Sequence, residues 1–460
     1  MKTLICIPCL MTGGTEIQTL NTVHALVQGG HEVTVACYFE HTPEMVARYR
    51  KAGAEVILFS PEGVRVGGYK RILFLYKHLR RAVKAVRPDV THVQYMAPGA
   101  TVILLLWLMG VKNIIATAHT AADIYKDLRL IHFLQRHCLR AFTCITERAE
   151  RSFFGSSQLY APDLVLGRRN HFTIYNALPA QMRCNDNVDD NENCLRNVAL
   201  NLTQISQNSQ NNISEQDNQR ELDTIAQNTH CYARVGHPDG DSFAVTITKT
   251  KTKTPSGVST EDSQLTAHSQ QLTAKSQGPN TKLTLGVVSR LEAIKGMDLV
   301  VPAFAEVLKV HPDTQLLVVG DGTLRASMEE KAAQLACADH IRFVGRQPQE
   351  ELSQWYSQMD IVLMPSRSEG FGLTAIAAMA HGCVMVASDV GGLPEVVRDG
   401  ICGLLHRTED VADMASKICS LIGDPALYAQ LRAQSLVEVG KYSFERYAAL
   451  MNDLYNKLGR

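Results

Sequence analysis

Residues 361–405 read IVLMPSRSEGFGLTAIAAMAHGCVMVASDVGGLPEVVRDGICGLL, and no other stretch of the chain restricts its fold so strongly. Ile361 to Met364 is a short apolar run, as expected of a strand buried on both faces. Pro365 and Ser366 end it, and Ser368-Glu369-Gly370-Phe371-Gly372 forms a glycine-rich loop. Leu373 to His381 has the small apolar character of a buried helix, which Gly382 stops. Val384 to Ser388 reads as the next strand, and Gly391-Gly392 opens another turn. A strand, glycine loop, helix and strand in this order point free N–H groups and the positive end of a helix at one spot. Such a spot suits a phosphate or sugar oxygen, and Glu369 stands at its mouth.

The same alternation opens the chain. Lys2 to Cys9 reads as a strand, followed by a Gly13-Gly14 turn, a helix from Ile17 to Gln28, and a second strand from His31 to Val35. Further strands are expected at Ala54–Leu58, Val90–Gln94, Ile114–Thr117, Thr143–Thr146 and Thr173–Ala177. Parallel strands joined by helices predict an α/β doubly wound sheet, with its ligand crevice at the strands' C-terminal ends. Tyr69 to Arg87 is amphipathic, with an apolar stripe of Ile72, Leu75, Tyr76, Leu79, Val83 and Val86. Seven cations fall largely off that stripe, so this helix reads either as a solvated face or as a dock on an anionic membrane.

At 460 residues the chain exceeds one ordinary domain. Between 181 and 280 roughly two residues in five are Asn, Gln, Ser or Thr, too few of them apolar to offset the ordering entropy. That segment is expected to be mostly disordered, with a short hairpin near Ser242 to Lys249. It separates residues 1–180 from a second Rossmann-like domain over 281–440 and a terminal helix over 441–460. The second domain opens with the strand Leu283–Val288, and Leu316–Val319 and Ile341–Gly345 follow as strands.

Formal net charge is zero, so nucleic acid exerts no bulk attraction. The 12 cysteines show no framework spacing, which fits a reducing compartment. Cys6 and Cys9 are the one close pair. A redox or metal role is one reading, but they lie in the first apolar strand and read better as core. Leu4 to Met11 is too short for a secretory leader and Thr101 to Val111 too short to span a bilayer. A cytoplasmic protein, peripheral on the membrane face, is therefore expected. Asn201-Leu202-Thr203 and Asn212-Ile213-Ser214 then read as chance sequons.

Glu369, Gly370, Phe371, Gly372, Ala378, Met379, Ala380 and Gly382 together resemble the donor-binding signature of the retaining glycosyltransferases of family 4. In that pattern a second Glu stands eight positions after the first; here the position is Ala377. Three further stretches extend the resemblance: Gly13-Gly14 before its helix, Ser289-Arg290-Leu291 through Lys295-Gly296, and the Gly320-Asp321-Gly322 turn. It covers residues 1–180 and 281–460 and implies a GT-B fold, two Rossmann-like domains facing a cleft. His119, after the strand that ends in Ala118, matches the family's active-site histidine.

By that resemblance His119, Glu369, Arg290 and Lys295 carry the chemistry. Gly13, Gly14, Val344, Arg346, Gly370, Phe371, Gly372 and Leu373 complete the donor site with Arg290, Lys295 and Glu369. The implied reaction moves a sugar from a nucleotide-sugar to a glycan, lipid-linked or other hydroxyl acceptor, as in polysaccharide biosynthesis. The nucleotide-sugar is a co-substrate, and no metal or other cofactor is expected. Arg290 and Lys295 suit this chemistry because a guanidinium fork and a mobile ammonium both neutralise a diphosphate as it departs. A non-catalytic nucleotide- or glycan-binding relative is the alternative. A sugar-nucleotide epimerase on the same fold is disfavoured by the Glu-Gly-Phe-Gly loop.

Overall fold

The computed structural model describes residues 1–94, 96–122, 127–165, 170–179 and 283–459, and the backbone of two strands at 232–236 and 244–248. Seven strands form the N-terminal sheet: β1 (Lys2–Ile7), β2 (Glu32–Cys37), β3 (Glu55–Leu58), β4 (Val90–Gln94), β5 (Ile114–Ala118), β6 (Ala141–Cys144) and β7 (His171–Thr173). They lie in the order β3-β2-β1-β4-β5-β6-β7, and the paired strands run parallel. Strands β8 (Tyr232–Gly236) and β9 (Ala244–Thr248) pair antiparallel. Six strands form the C-terminal sheet: β10 (Thr284–Val288), β11 (Gln315–Val319), β12 (Ile341–Gly345), β13 (Ile361–Met364), β14 (Val384–Ser388) and β15 (Gly403–His406). Their order is β12-β11-β10-β13-β14-β15, again parallel. In both sheets the order reverses beside the first strand. That switch point opens a crevice at the strands' C-terminal ends. The chain therefore folds as two Rossmann-like α/β domains.

Each sheet is covered on both faces, which explains the nearly unbroken apolar runs of its central strands. β4, β5, β13 and β14 are buried along their whole length. The helix Phe444–Leu458 returns from the C-terminal domain to the N-terminal one. Its Tyr447, Met451, Leu454 and Leu458 share a core with Leu20, Val23 and Leu26 of the helix Gly14–Gln28. The Tyr447 hydroxyl lies 2.7 Å from Thr22 Oγ1, and Asn452 Nδ2 donates to the Ala25 carbonyl at 2.9 Å.

Several boundaries differ from the sequence reading for local reasons. β1 ends at Ile7, because Pro8 has no N–H for the ladder. β6 ends at Cys144, because Thr146 caps the helix Glu147–Phe154, accepting from Ala149 N at 3.1 Å. The apolar run Thr101–Val111 falls on the helix Met96–Leu108 and the turn after it, and its Trp107 and Leu108 are exposed. The amphipathic helix spans Gly68–Val86 but buries only Leu75, Leu79 and Ala82. Ile72 and Tyr76, expected on the buried stripe, are exposed with Tyr69 and Leu73, since the first two turns lie off the packed face. Strand β15 went unread, because its Gly403 and His406 hide a short strand from an apolar-run criterion.

The expected hairpin falls on β9, with β8 as its partner. The expectation of disorder over 181–280 otherwise falls outside the described residues. Cys6 and Cys9 are both free thiols, pushed up to about 12, Cys6 by burial and Cys9 by burial and then Glu16. Thiols so protonated make poor nucleophiles, in keeping with a core role. Among the described residues no helix is long and apolar enough to cross a membrane.

Candidate active site

The C-terminal half of the cleft is a stack of strand-end loops held by backbone contacts. Ala293–Lys295 is a single 3-10 turn after β10, and Gly296 ends it with a left-handed φ of 67°. A Cβ on Gly296 would lie 1.8 Å from the Pro365 carbonyl oxygen, so only glycine lets this turn touch the end of β13. That contact brings Lys295 Nζ to 2.7 Å from Glu369 Oε2, in a pair that is largely buried. Arg290 projects from the end of β10 and is exposed; its guanidinium makes no hydrogen bond or ion pair among the described residues.

Arg367, which sequence reasoning missed, braces this arrangement. Its guanidinium donates to both Asp298 oxygens at 2.7 and 2.8 Å, to Glu409, and to the Ala293 carbonyl. Its backbone N–H donates to the Ile294 carbonyl at 3.0 Å. The Asp298 and Glu409 carboxylates raise the Arg367 pKa, and Arg367 in turn lowers that of Asp298. One cation thus ties the Lys295 turn to the Glu369 loop. It sits two residues before Glu369, outside the glycine pattern that draws the eye.

The N-terminal half meets this stack closely. A Cβ on Gly370 would lie 2.4 Å from the carbonyl oxygen of His119, and Leu373 Cδ1 lies 3.6 Å from the Cβ position of Gly14. The Gly13-Gly14 turn starts the helix Gly14–Gln28, and Gly372 starts the helix Leu373–Ala380, so two helix N-termini face one cleft. Arg346, just beyond β12, reaches across to Thr12 Oγ1 at 3.5 Å. Away from the centre, Glu395 accepts from the backbone N–H groups of Glu147, at 2.8 Å, and Arg148. Arg48 donates to Gln349 at 2.7 Å.

His119 follows β5 directly and is buried. Its Nε2 lies 2.7 Å from Gln94 Oε1, at the end of β4. Burial pushes its pKa down to about 3, so the imidazole is neutral at ordinary pH. Behind Gln94 sits His92, with Nδ1 2.6 Å from the Tyr455 hydroxyl and Nε2 2.6 Å from Thr117 Oγ1. It too is held down to about 3, by burial and then by His119. Neither His92 nor Gln94 was singled out from sequence; alternate residues of one strand carry no local signature.

The predicted residues therefore gather on two facing surfaces: Gly13, Gly14 and His119 on one, Lys295, Arg346, Glu369, Gly370 and Leu373 on the other. Arg290 rises from the loop beside Lys295. Phe371 lends only its backbone, since its ring packs against Tyr175 and Tyr442. Val344 is half-buried in β12. Ala377 is buried within the helix Leu373–Ala380.

Two family models match the chain: Glycosyltransferase Family 4 over residues 12–159, and Glycosyl transferases group 1 over residues 269–436. A D-inositol 3-phosphate glycosyltransferase of Nocardia farcinica is 36% identical over 176 residues, 37% of this chain and 39% of that protein. One of the same name from Corynebacterium kroppenstedtii is 33% identical over 178 residues, 37% of this chain and 40% of that protein. The chain thus matches about two fifths of the length of these curated relatives. Among solved structures, a glycosyltransferase from Rickettsia africae aligns over 99% of this chain and 98% of its own, with a TM-score of 0.64 and 14% identity. Anabaena HepE in complex with UDP aligns over 98% of each chain, with a TM-score of 0.63 and 15% identity. The two family matches fall on the two halves of the cleft, and the chain shares the GT-B fold of these solved structures.

Proposed function

We propose that this protein is a retaining glycosyltransferase that moves a sugar from a nucleotide-sugar to a hydroxyl acceptor. The observation that carries the proposal is the Lys295–Glu369 pair, braced by Arg367 and set opposite the Gly13-Gly14 turn and His119. When a donor enters, Lys295 and Arg290 turn to the diphosphate, and Glu369 accepts from sugar hydroxyls. The bond between the anomeric carbon and the diphosphate oxygen breaks, and the acceptor oxygen bonds to that carbon on the same face. The acceptor's proton passes to the departing phosphate, so this scheme calls for no separate base and no metal. Charge grows on the diphosphate as it leaves, so the two cations and two helix N-termini act most strongly in the transition state.

Ala377 is the observation that favours the second reading, a non-catalytic nucleotide- or glycan-binding relative. In the family pattern the residue in its place is the second Glu, which takes the ribose hydroxyls. Loss of hydrogen bonds to a charge costs on the order of 1.5–3 kcal/mol, roughly a ten- to hundredfold weaker hold on the donor.

Nucleotide release from a panel of UDP-, GDP- and ADP-sugars is the test. Its acceptors begin with inositol phosphate, after the curated relatives' name, and extend to glycans and lipid-linked sugars. Lys295→Ala is expected to cut turnover about a hundredfold or more, as removal of one preorganised transition-state donor does. Near-wild-type turnover by that variant would overturn the donor-site assignment. Donor binding without release from any member would favour the binding protein.

The acceptor side also favours a peripheral membrane contact. Tyr69, Ile72, Leu73 and Tyr76 are exposed on the helix Gly68–Val86, among Lys70, Arg71, Lys77 and Arg80. Exposed apolar side chains beside cations fit an anionic bilayer better than bulk water. Flotation with anionic but not zwitterionic vesicles is expected, and Leu73→Glu should abolish it. Equal recovery with both kinds of vesicle would remove the membrane from this account.

A further inference from the structure

We propose that Glu395 is the pin of the interdomain hinge, a positioning residue that fixes the angle at which the two halves of the cleft face each other. The inference goes beyond the glycosyltransferase reading and rests on it only for the catalytic part of its test. The helix Glu147–Phe154 belongs to the N-terminal domain, and its first turn carries N–H groups that no helical carbonyl reaches. Thr146 takes that of Ala149 at 3.1 Å. Those of Glu147 and Arg148 are taken by the two carboxylate oxygens of Glu395, from the helix Leu393–Val396 of the C-terminal domain. The helix's own Glu150 is engaged elsewhere, with His171, Thr173 and Gln158. An anion at a helix N-terminus gains from the charge-assisted bonds and from the helix dipole. One domain therefore caps the other's helix, and the cap is complete only while the domains keep this angle.

Glu395 is itself held in place. Its carbonyl accepts from the Tyr442 hydroxyl at 3.2 Å, and its carboxylate lies beside Tyr175, whose hydroxyl is kept protonated by burial and then by Glu395. Tyr175 stands where the chain leaves the N-terminal sheet, and Tyr442 where it returns in the helix Phe444–Leu458. The two rings meet edge to face at 5.6 Å, and Leu178 N donates to the Tyr442 carbonyl at 2.8 Å. Ahead of Glu395, Gly392 N donates to the Glu369 carbonyl at 3.0 Å, and a Cβ on Gly391 would lie 1.8 Å from that oxygen. Backbone contacts thus run from the Glu369–Gly370 loop to the pin, and the pin reaches the helix Glu147–Phe154. Packing does not hold the angle here: a cavity of about 430 Å³ opens beside the pin, lined by Tyr160, Tyr175, Glu395, Tyr442 and Arg446. The interdomain contacts Arg148–Asp389 and Arg346–Thr12 span 4.0 and 3.5 Å between exposed side chains, where such contacts hold little.

Spin labels on noncanonical residues in place of Glu44 and Glu330, exposed on helices of the two domains, give the direct test in the full-length protein. The wild type is expected to show one narrow distance distribution, and Glu395→Ala should at least double its width. Glu395→Asp should broaden it as much, since the charge stays but the shorter side chain falls short of the helix. The amides of Glu147 and Arg148 should exchange about tenfold faster or more in both variants. Unchanged width or unchanged exchange in Glu395→Ala would overturn the proposal, and Glu395→Asp decides if that variant fails to fold. Thr146→Val removes the cap supplied from within the domain, and should lower stability while the distribution stays narrow. Broadening there equal to that of Glu395→Ala would mean that fraying of the helix, not loss of the pin, frees the domains, and would refute the assignment. None of these readings needs a donor, so a protein that turns over none would sink the glycosyltransferase reading and leave the pin measured. With an active donor, Glu395→Ala should lower kcat about tenfold with donor KM changed less than about threefold. A broadened distribution with kcat unchanged would refute the positioning role.

Discussion

On the C-terminal side of the cleft the surface is mostly backbone: the turn before Gly296, the Gly370–Gly372 loop and the start of the helix Leu373–Ala380. Lys295 and Glu369 are set into it as an ion pair, with Arg290 exposed beside them. On the N-terminal side the working surface has one short backbone element, the Gly13-Gly14 turn. Behind it runs a buried chain of polar side chains from Tyr455 through His92 and Gln94 to His119. The first construction holds charge with fixed dipoles, cations and close approach. The second holds one neutral ring in one orientation. A reaction that expels a diphosphate needs the first for the leaving group, and the second can serve the sugar and its acceptor.

The largest effect that separates the two sides comes from the point where they touch. Gly370→Ala puts a methyl group where the His119 carbonyl oxygen lies 2.4 Å away, and neither backbone can yield without parting the halves. Lys295, Glu369 and Arg367 remain in place, so donor affinity is expected to change less than about threefold. Turnover should fall about a hundredfold, the order of loss for a misplacement of roughly 1 Å at a reacting centre. Calorimetric donor titration beside the nucleotide-release assay checks both numbers. If affinity collapses with turnover, ground-state donor binding depends on the N-terminal half as much as the transition state does, and the division of labour is wrong. If turnover survives within about twofold, the close approach has no part in the working state.

The same contrast explains what could be read in advance. A backbone-built site is contiguous: Glu369 to Leu373 and Arg290 to Gly296 declare themselves because loop, helix start and charge fall within a few residues. The sheets were legible too, since strands buried on both faces leave unbroken apolar runs such as Ile361–Met364 and Val384–Ser388. Side-chain chains are not contiguous. His92, Gln94, His119 and Tyr455 come from three elements, and only His119 stood out, by its resemblance to a known motif. Arg367 escaped because its partners Asp298 and Glu409 lie 69 and 42 positions away along the chain. Ile72 and Tyr76 misled because helical spacing tells which residues share a face but not how far along the helix the neighbouring sheet extends.

A smaller effect tests the comparison through protons. His92 and His119 are both held near a pKa of about 3 by burial, against about 6.5 in an unfolded chain. Between those values the unfolded state binds more protons, so stability rises with pH, is complete above about 6.5 and is lost as pH falls. Each histidine contributes on the order of 1.4 kcal/mol per pH unit inside that window, or roughly 2 kcal/mol from pH 6.5 to 5. Both lie in the N-terminal domain. In the C-terminal domain burial also lowers His406, while the depressed carboxylates Asp298 and Asp413 begin to matter only below about 3.8. Hydrogen exchange, corrected for its intrinsic pH dependence, should therefore show β4 and β5 losing protection between pH 7 and 5 well before β13 and β14. His92→Gln should flatten that slope in β4 and β5 whatever it does to absolute stability, because one of its two most strongly shifted histidines is gone; His31 and His78, also lowered by burial, keep a remainder. Equal loss of protection across both sheets would mean that the two halves unfold as one unit. The polar chain would then no longer be a local device of the N-terminal side but part of a single cooperative core, and the contrast would have to rest on Gly370 alone.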